Sequence, residues 1–185
     1  MTNQNHTTIN ILFVCHGNIC RSPMAEFVMK DLVAKAGLSD KFEIASAATS
    51  TEEIGNPVHW GTREKLKSVG ISTAGKTAVQ MKKRDYADYD LLIGMDNWNI
   101  RNILRITGGD PEGKVHKLLE YAGSDGEVAD PWYTGDFEST YRDVTAGCSG
   151  LLKMLTASQD LHPKNTERYT ARQNNRMDPH NARRR

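Results

Sequence analysis

Cysteine, aromatic residues and long apolar runs are all scarce in this chain of 185 residues. Its three cysteines, Cys15, Cys20 and Cys148, are too few to build a disulfide scaffold. A reducing compartment is therefore expected. No apolar run approaches the ~18 residues needed to span a bilayer, so no membrane association is expected. The opening "MTNQNHTT" lacks the basic and apolar regions of a secretion signal, which makes the cytoplasm the default. Charge of one sign is also missing overall, since the formal net charge is +1. It is unevenly spread: residues 162–185 hold seven Lys/Arg against two Asp/Glu, leaving −4 on residues 1–161. An acidic body argues against a nucleic-acid partner. Neither G-x-x-x-x-G-K-[ST] nor G-x-G-x-x-G occurs in the opening loop, which removes the two common nucleotide-binding loops.

What remains is a soluble composition, 38% hydrophobic and 25% charged, in a chain long enough for one domain with its own core. Residues 1–8 are polar and are expected to be flexible. "INILFVC" (9–15) is an apolar, β-branched run of strand length. "SPMAEFVMKDLVAKAG" (22–37) has apolar residues at helical spacing, Pro23 in a first turn and Gly37 at a C-cap. Strands are expected at 41–48, 88–95 and 114–121, and helices at 58–69, 96–107 and 136–157. Alternating strands and helices predict an α/β fold with a parallel sheet and helices on both faces. In such sheets ligands bind beyond the carboxyl ends of the strands. The expected domain is 9–161. The tail 162–185 is basic, nearly free of apolar residues and aperiodic, and is read as a disordered or vector-derived extension.

The loop between the first strand and helix reads "CHGNICRSP" and places Cys15 and Arg21 six positions apart. Backbone N–H groups at a helix N-terminus converge on one point, where the helix dipole adds partial positive charge. Gly17 permits close approach, and Asn18 tolerates the left-handed region and can tie the loop with its amide. The product is an oxyanion nest. Within it, aligned N–H groups and Arg21 stabilise the thiolate of Cys15, with Ser22 able to hydrogen-bond the sulfur. The planar fork of Arg21 can hold two phosphate oxygens at once. Nucleophile and clamp must face one phosphorus, and a tight loop brings both there. Thiolate attack also needs an acid for the leaving group. "VADPWYTGD" (128–136) offers Asp130, held extended by Pro131, with Trp132 and Tyr133 as aromatic walls. The bland reading of Asp-Pro is a turn or helix start.

Together these segments resemble the low-molecular-weight protein tyrosine phosphatase family. "VCHGNICRSP" follows its V-C-x-G-N-x-C-R-S-P, the Asp-Pro-aromatic-aromatic run matches its acid loop, and "EIASAATS", "IGNPV" and "LLIGMDNWN" resemble further segments in order. The resemblance covers roughly 9–157. It implies a four-stranded, doubly wound parallel sheet and no metal or other cofactor. It also implies Cys15 as nucleophile, Arg21 as phosphate clamp and Asp130 as acid then base. Ser22 stabilises the thiolate, Asn18 holds the loop, and the phosphate and substrate are further lined by His16, Gly17, Ile19, Cys20, Trp132 and Tyr133. The implied substrates are phosphotyrosine proteins or small aryl phosphates, with inorganic phosphate as product inhibitor. Two departures stand out. Glu52-Glu53 replace an aromatic wall, which should repel acidic phosphopeptides. Lys76-Thr77-Ala78-Val79 replaces H-x-A-R, whose His supports the loop Asn, so Asn18 should be held differently.

Competing readings are a phosphoarginine phosphatase, a thiol-dependent arsenate reductase and a non-catalytic phosphate-binding module. Ile19 in place of a polar Thr favours an aryl ring over phosphoarginine. A single cysteine outside the loop, Cys148, leaves an arsenate relay incomplete. Mere binding requires neither nucleophile nor acid. Cys15, His16 and Cys20 lack the fourth ligand of a zinc site. Cys148, Trp60, Trp98, Tyr86, Tyr89, His59 and His116 are read as structural.

Overall fold

A computed structural model describes residues 8–159. The chain divides into two units, Met1–Leu152 and Lys153–Arg185; only the end of the last helix is described in the second. The expectations of a flexible N-terminus and a basic tail fall almost wholly outside the described residues.

Four parallel strands form one sheet: β1 (Ile9–Cys15), β2 (Phe42–Ala48), β3 (Leu91–Gly94) and β4 (Val115–Lys117), in the order β2-β1-β3-β4. Leu12 and Val14 join Ala47, Leu92 and Ile103 in one core cluster. Ile11 and Phe13, alternating with them along β1, are also fully buried. Both faces of the central strand are thus covered, which is why its sequence reads as a continuous apolar run rather than an alternating one.

The chain leaves β1 through α1 (Arg21–Lys35) and returns as β2 on one side; it leaves β3 through α4 (Asn97–Thr107) and returns as β4 on the other. Right-handed crossovers running in opposite directions put α1 and α4 on opposite faces. Strand order therefore reverses at β1, and a crevice opens at its carboxyl end. Cys15 is the last residue of β1, paired in register with Ala48, so the thiol stands at that switch point. Between these units lie α2 (Trp60–Ser68) and α3 (Asp85–Asp88), and after them α5 (Pro131–Thr134) and α6 (Phe137–Gln159).

Two expected strands are shorter than their apolar patterns. Residues 88–90 belong to the end of α3 and its exit, leaving Leu91–Gly94 for β3. Residues 118–121 turn into a 3₁₀ segment, Leu118–Ala122, whose start is fixed by the Glu120 carboxylate accepting from the Lys117 N–H at 3.1 Å. The small residues of α6 serve close packing. A Cβ on Gly147 would sit 2.5 Å from Leu118 Cγ, so the helix lies directly on that segment. Cys148 is fully buried beside them, its Sγ 3.7 Å from the Ala25 carbonyl. Tyr86 bonds Asp110 at 2.7 Å and His59 caps α2 by accepting from the Gly61 N–H at 3.1 Å, both structural roles.

Candidate active site

The loop from Cys15 to Arg21 closes on its own sulfur. The Asn18 N–H donates to Cys15 Sγ at 3.3 Å, and Ser22 Oγ lies 3.1 Å from the same sulfur. The curl depends on Asn18 at φ +57°, the one non-glycine described residue in the left-handed region. Gly17 serves differently from its neighbour. Its φ is not positive, but a Cβ there would meet Glu53 Cγ at 3.2 Å, so its small size lets a second loop lie against the first.

The buried Asn18 side chain uses both of its amide donors and accepts one bond on its carbonyl oxygen. Nδ2 donates to Ser22 Oγ and to Ser46 Oγ, each at 2.8 Å, and Oδ1 accepts from the Val79 N–H at 3.1 Å. Ser46 Oγ in turn donates to Glu26 Oε2 at 2.5 Å. Glu26 is buried and paired with Lys76 Nζ at 3.2 Å and Lys30 Nζ at 2.6 Å. The loop asparagine is thus held by Ser46 and by a backbone N–H, while Lys76 acts two steps away through Glu26. Of the segment 76–79, it is the Val79 backbone N–H that bonds the Asn18 side chain directly.

Arg21 is 3% exposed and bridges three parts of the chain. Nη1 donates to Asp96 Oδ2 at 2.6 Å and to the Val128 carbonyl at 3.1 Å; Nη2 donates to Asp130 Oδ2 at 2.8 Å. Burial pulls its pKa down, but Cys15, Asp130 and Asp96 together raise it above the ordinary value, so it stays charged. Asp130 also heads α5, its Oδ1 accepting from the Trp132 N–H at 3.1 Å. The helix-start reading of Asp-Pro therefore holds, and the same carboxylate lies on the Arg21 guanidinium. Burial, then the charges of Cys15 and Asp130, push the Cys20 thiol up to about 12.

A cleft of about 140 Å³ opens here, lined by Cys15, His16, Gly17, Ile19, Cys20, Arg21, Glu52, Glu53, Asp130, Trp132 and Tyr133. Asn18 and Ser22 lie beneath it, fully buried. The structure thus brings every expected site residue to one place. Trp132 and Tyr133 stand well exposed at the rim. Sequence reasoning missed Asp96, Glu26 and Ser46. Asp96 had a signal, an acid directly after a strand and before a helix, where side-chain capping is expected. Glu26 and Ser46 lie on a helix and a strand with nothing local to mark them.

A doubly wound α/β fold thus brings a thiol, a guanidinium and a carboxylate round one cleft at the end of its first strand. Residues 10–161 match the family model "Low molecular weight phosphotyrosine protein phosphatase", and the chain belongs to that family. It is 43% identical over 155 residues to the low molecular weight protein-tyrosine-phosphatase YfkJ of Bacillus subtilis, covering 83% of this chain and 99% of that protein. The crystal structure of YfkJ superposes with a TM-score of 0.80 at 42% identity, over 82% of this chain and 97% of that one. SP-PTP of Streptococcus pyogenes gives 0.73 at 40% identity over 86% and 98%. The Drosophila arginine phosphatase DARP gives 0.71 at 28% identity over 78% and 96%.

Proposed function

We propose that this protein hydrolyses phosphotyrosine and related aryl phosphate monoesters through a phosphocysteine intermediate. The observation that carries it is the convergence of Cys15, Arg21 and Asp130 on one cleft walled by Ile19, Trp132 and Tyr133. The phosphoryl oxygens bind the loop N–H groups and Arg21. The Cys15 thiolate attacks phosphorus, the S–P bond forms and the P–O bond to the aryl group breaks. Asp130 gives its proton to the departing phenolate oxygen. Water then attacks the phosphocysteine, Asp130 takes its proton, and the thiolate leaves, stabilised by Ser22 and the Asn18 N–H. Inorganic phosphate is the product and occupies the same nest, so it inhibits. Three free, buried cysteines suit a reducing compartment, and we place the protein in the cytoplasm. Among the described residues no helix is long and apolar enough to cross a membrane.

The competing chemistries fit less well. An arsenate relay needs an accessible second thiol, yet Cys148 is fully buried and burial raises its pKa. Phosphoarginine turnover favours polar contacts for a guanidinium, and Ile19 presents an apolar branch to the cleft. The test is a side-by-side assay with chelator present, using p-nitrophenyl phosphate and phosphotyrosine, phosphoarginine and phosphoserine peptides. Aryl phosphates should be hydrolysed and the other two should not. Cys15→Ser should abolish turnover yet retain phosphate or vanadate binding, because backbone N–H groups and Arg21 remain. Faster turnover of phosphoarginine, or wild-type turnover by Cys15→Ser, would overturn the reading.

A further inference from the structure

The rim of the cleft is acidic, and its acids have hydrogen-bond partners. Glu52, Glu53 and Asp130 line it, whereas Arg21, its one Arg or Lys lining residue, lies at the base already paired with Asp96 and Asp130. An isolated exposed carboxylate would carry little information, since its side chain samples many rotamers and is screened. These two glutamates differ. Glu52 Oε2 meets His16 Nε2 at 3.0 Å, tying it to the residue beside the nucleophile. Glu53 accepts from Asn56 Nδ2 at 2.7 Å and from the Asn56 N–H, through its carbonyl, at 2.9 Å. Its stem lies across Gly17, where even a methyl group would crowd it. Both carboxylates are therefore anchored to or against the phosphate loop. They line the same cleft as Cys15 and Arg21.

We propose that Glu52 and Glu53 form a cation-selecting rim, so that the preferred substrates are phosphotyrosine segments flanked by Lys or Arg. The proposal rests on the phosphotyrosine reading above and adds the charge of the surrounding sequence. A basic residue beside the phosphotyrosine meets two hydrogen-bonded carboxylates. An acidic one meets repulsion from them. Glu52 is tied to His16, whereas the Glu53 carboxylate is held by the uncharged amide of Asn56. Such complementarity acts on the choice of partner and on encounter more than on chemistry at phosphorus.

The test compares kcat/KM for two phosphotyrosine peptides of equal length, one with Lys or Arg on both sides and one with Glu or Asp. Wild type should prefer the basic peptide by roughly ten-fold at low salt, and the ratio should shrink as ionic strength rises toward ~1 M and the Debye length falls to about 3 Å. Glu52→Gln/Glu53→Gln should bring the ratio close to one, and Glu52→Lys/Glu53→Lys should invert it. The Gln pair keeps the shape and the acceptor that Asn56 uses, so folding is preserved, and circular dichroism checks it. An equal or acidic preference in wild type, or an unchanged ratio in the Gln pair, overturns the proposal while leaving the phosphatase reading intact. Failure of wild type to turn over both peptides and p-nitrophenyl phosphate overturns both.

Discussion

Arg21 Nη2 donates to Asp130 Oδ2 at 2.8 Å, joining two loops that lie 109 residues apart in sequence. The guanidinium proposed to grip phosphate therefore also holds the carboxyl proposed as the acid. Asp96 holds the same guanidinium from the opposite nitrogen at 2.6 Å. On the function proposed above, the oxygens of a bound phosphoryl group are expected to compete with Asp130 for Nη2 while Asp96 keeps Nη1, which would free the Asp130 carboxyl and keep the fork aimed.

Asp130→Asn should slow substrates with poor leaving groups far more than p-nitrophenyl phosphate. General-acid assistance is worth ~10²–10⁴-fold, and a good leaving group needs little of it. An amide still accepts from the Trp132 N–H, so α5 should keep its cap. The check is a plot of log kcat against leaving-group pKa, which should be steeper for the variant. Parallel lines would give Asp130 a purely structural place.

Asp96 has two tasks that substitution can separate. Its Oδ1 caps α4 through the Asn99 N–H at 2.6 Å, and its Oδ2 pairs with Arg21. Asp96→Asn retains a good cap but loses the charge, so it should weaken vanadate binding by ~10-fold or more, in line with a charged hydrogen bond worth about 1.5–3 kcal/mol. Asp96→Ala should add the loss of the cap, about 1 kcal/mol, or roughly 2–4 °C in Tm for a chain of this size. If Asp96→Asn binds vanadate like wild type, the residue only caps.

The legible and illegible parts of this site divide by the range of the interactions. The strand–loop–helix at 9–35 could be read directly because its apolar run, Pro23 and the Cys15–Arg21 spacing are all local. Asp130 could be read because Pro131 and two aromatics mark it. Glu26, Ser46 and Lys76 could not be joined in advance. Each looks like an ordinary polar residue on its own element, and only the parallel register of β1 with β2 and the packing of α1 bring them under Asn18. The short helices α3 and α5 escaped for a related reason: four residues carry too little periodicity to show a helix.

Cys20 should protect Cys15 from irreversible oxidation. Peroxide acting on the Cys15 thiolate gives a sulfenic acid, and a neighbouring thiol can condense with it, expelling water and forming a disulfide. Burial is the largest cause holding Cys20 protonated, followed by the charge of Cys15, and that second cause vanishes once Cys15 is a neutral sulfenic acid. Peroxide should inactivate the enzyme, dithiothreitol should restore it, and Cys20→Ser should recover much less. Full recovery of Cys20→Ser, with no Cys15–Cys20 peptide by mass spectrometry, would refute this.

Stability should decline above pH 9. Cys20 has an ordinary thiol value of 9.0 and is pushed up to about 12 in the folded chain; Cys148 is raised further by burial. Between these values the folded state keeps protons that the unfolded chain has released. Stability from this source is therefore intact below pH 9 and is lost as pH rises toward the folded values. Urea midpoints at pH 7, 9 and 10.5 measure it. Cys148→Ala should be weaker at pH 7 through lost packing, yet fall less steeply with pH. A slope identical to wild type would remove Cys148 from the account.

Lys76 offers the sharpest separation of charge from shape. Its ammonium lies 3.2 Å from Glu26 Oε2, and the two side chains are 13% and 6% exposed. It also donates to the Ser46 carbonyl at 2.9 Å, at the residue that holds Asn18. Lys76→Met leaves Glu26 buried with only Lys30, whose side chain is 44% exposed. Removing one member of a buried pair costs about 3–5 kcal/mol when nothing compensates. Lys30 supplies part of the compensation, so about 2 kcal/mol is expected, or roughly 4–8 °C in Tm. Adding Glu26→Gln should recover most of it, because the unpaired charge disappears while the amide oxygen still accepts from Ser46. The coupling between the two changes should exceed about 1 kcal/mol. Activity should follow a different order. Both variants lose the fixed carboxylate–ammonium clamp behind Ser46, so kcat toward p-nitrophenyl phosphate should fall several-fold in each, including the stable double variant. Restored kcat in the double variant would mean that the pair serves stability alone and that Asn18 is held well enough by Ser22, Ser46 and the Val79 N–H.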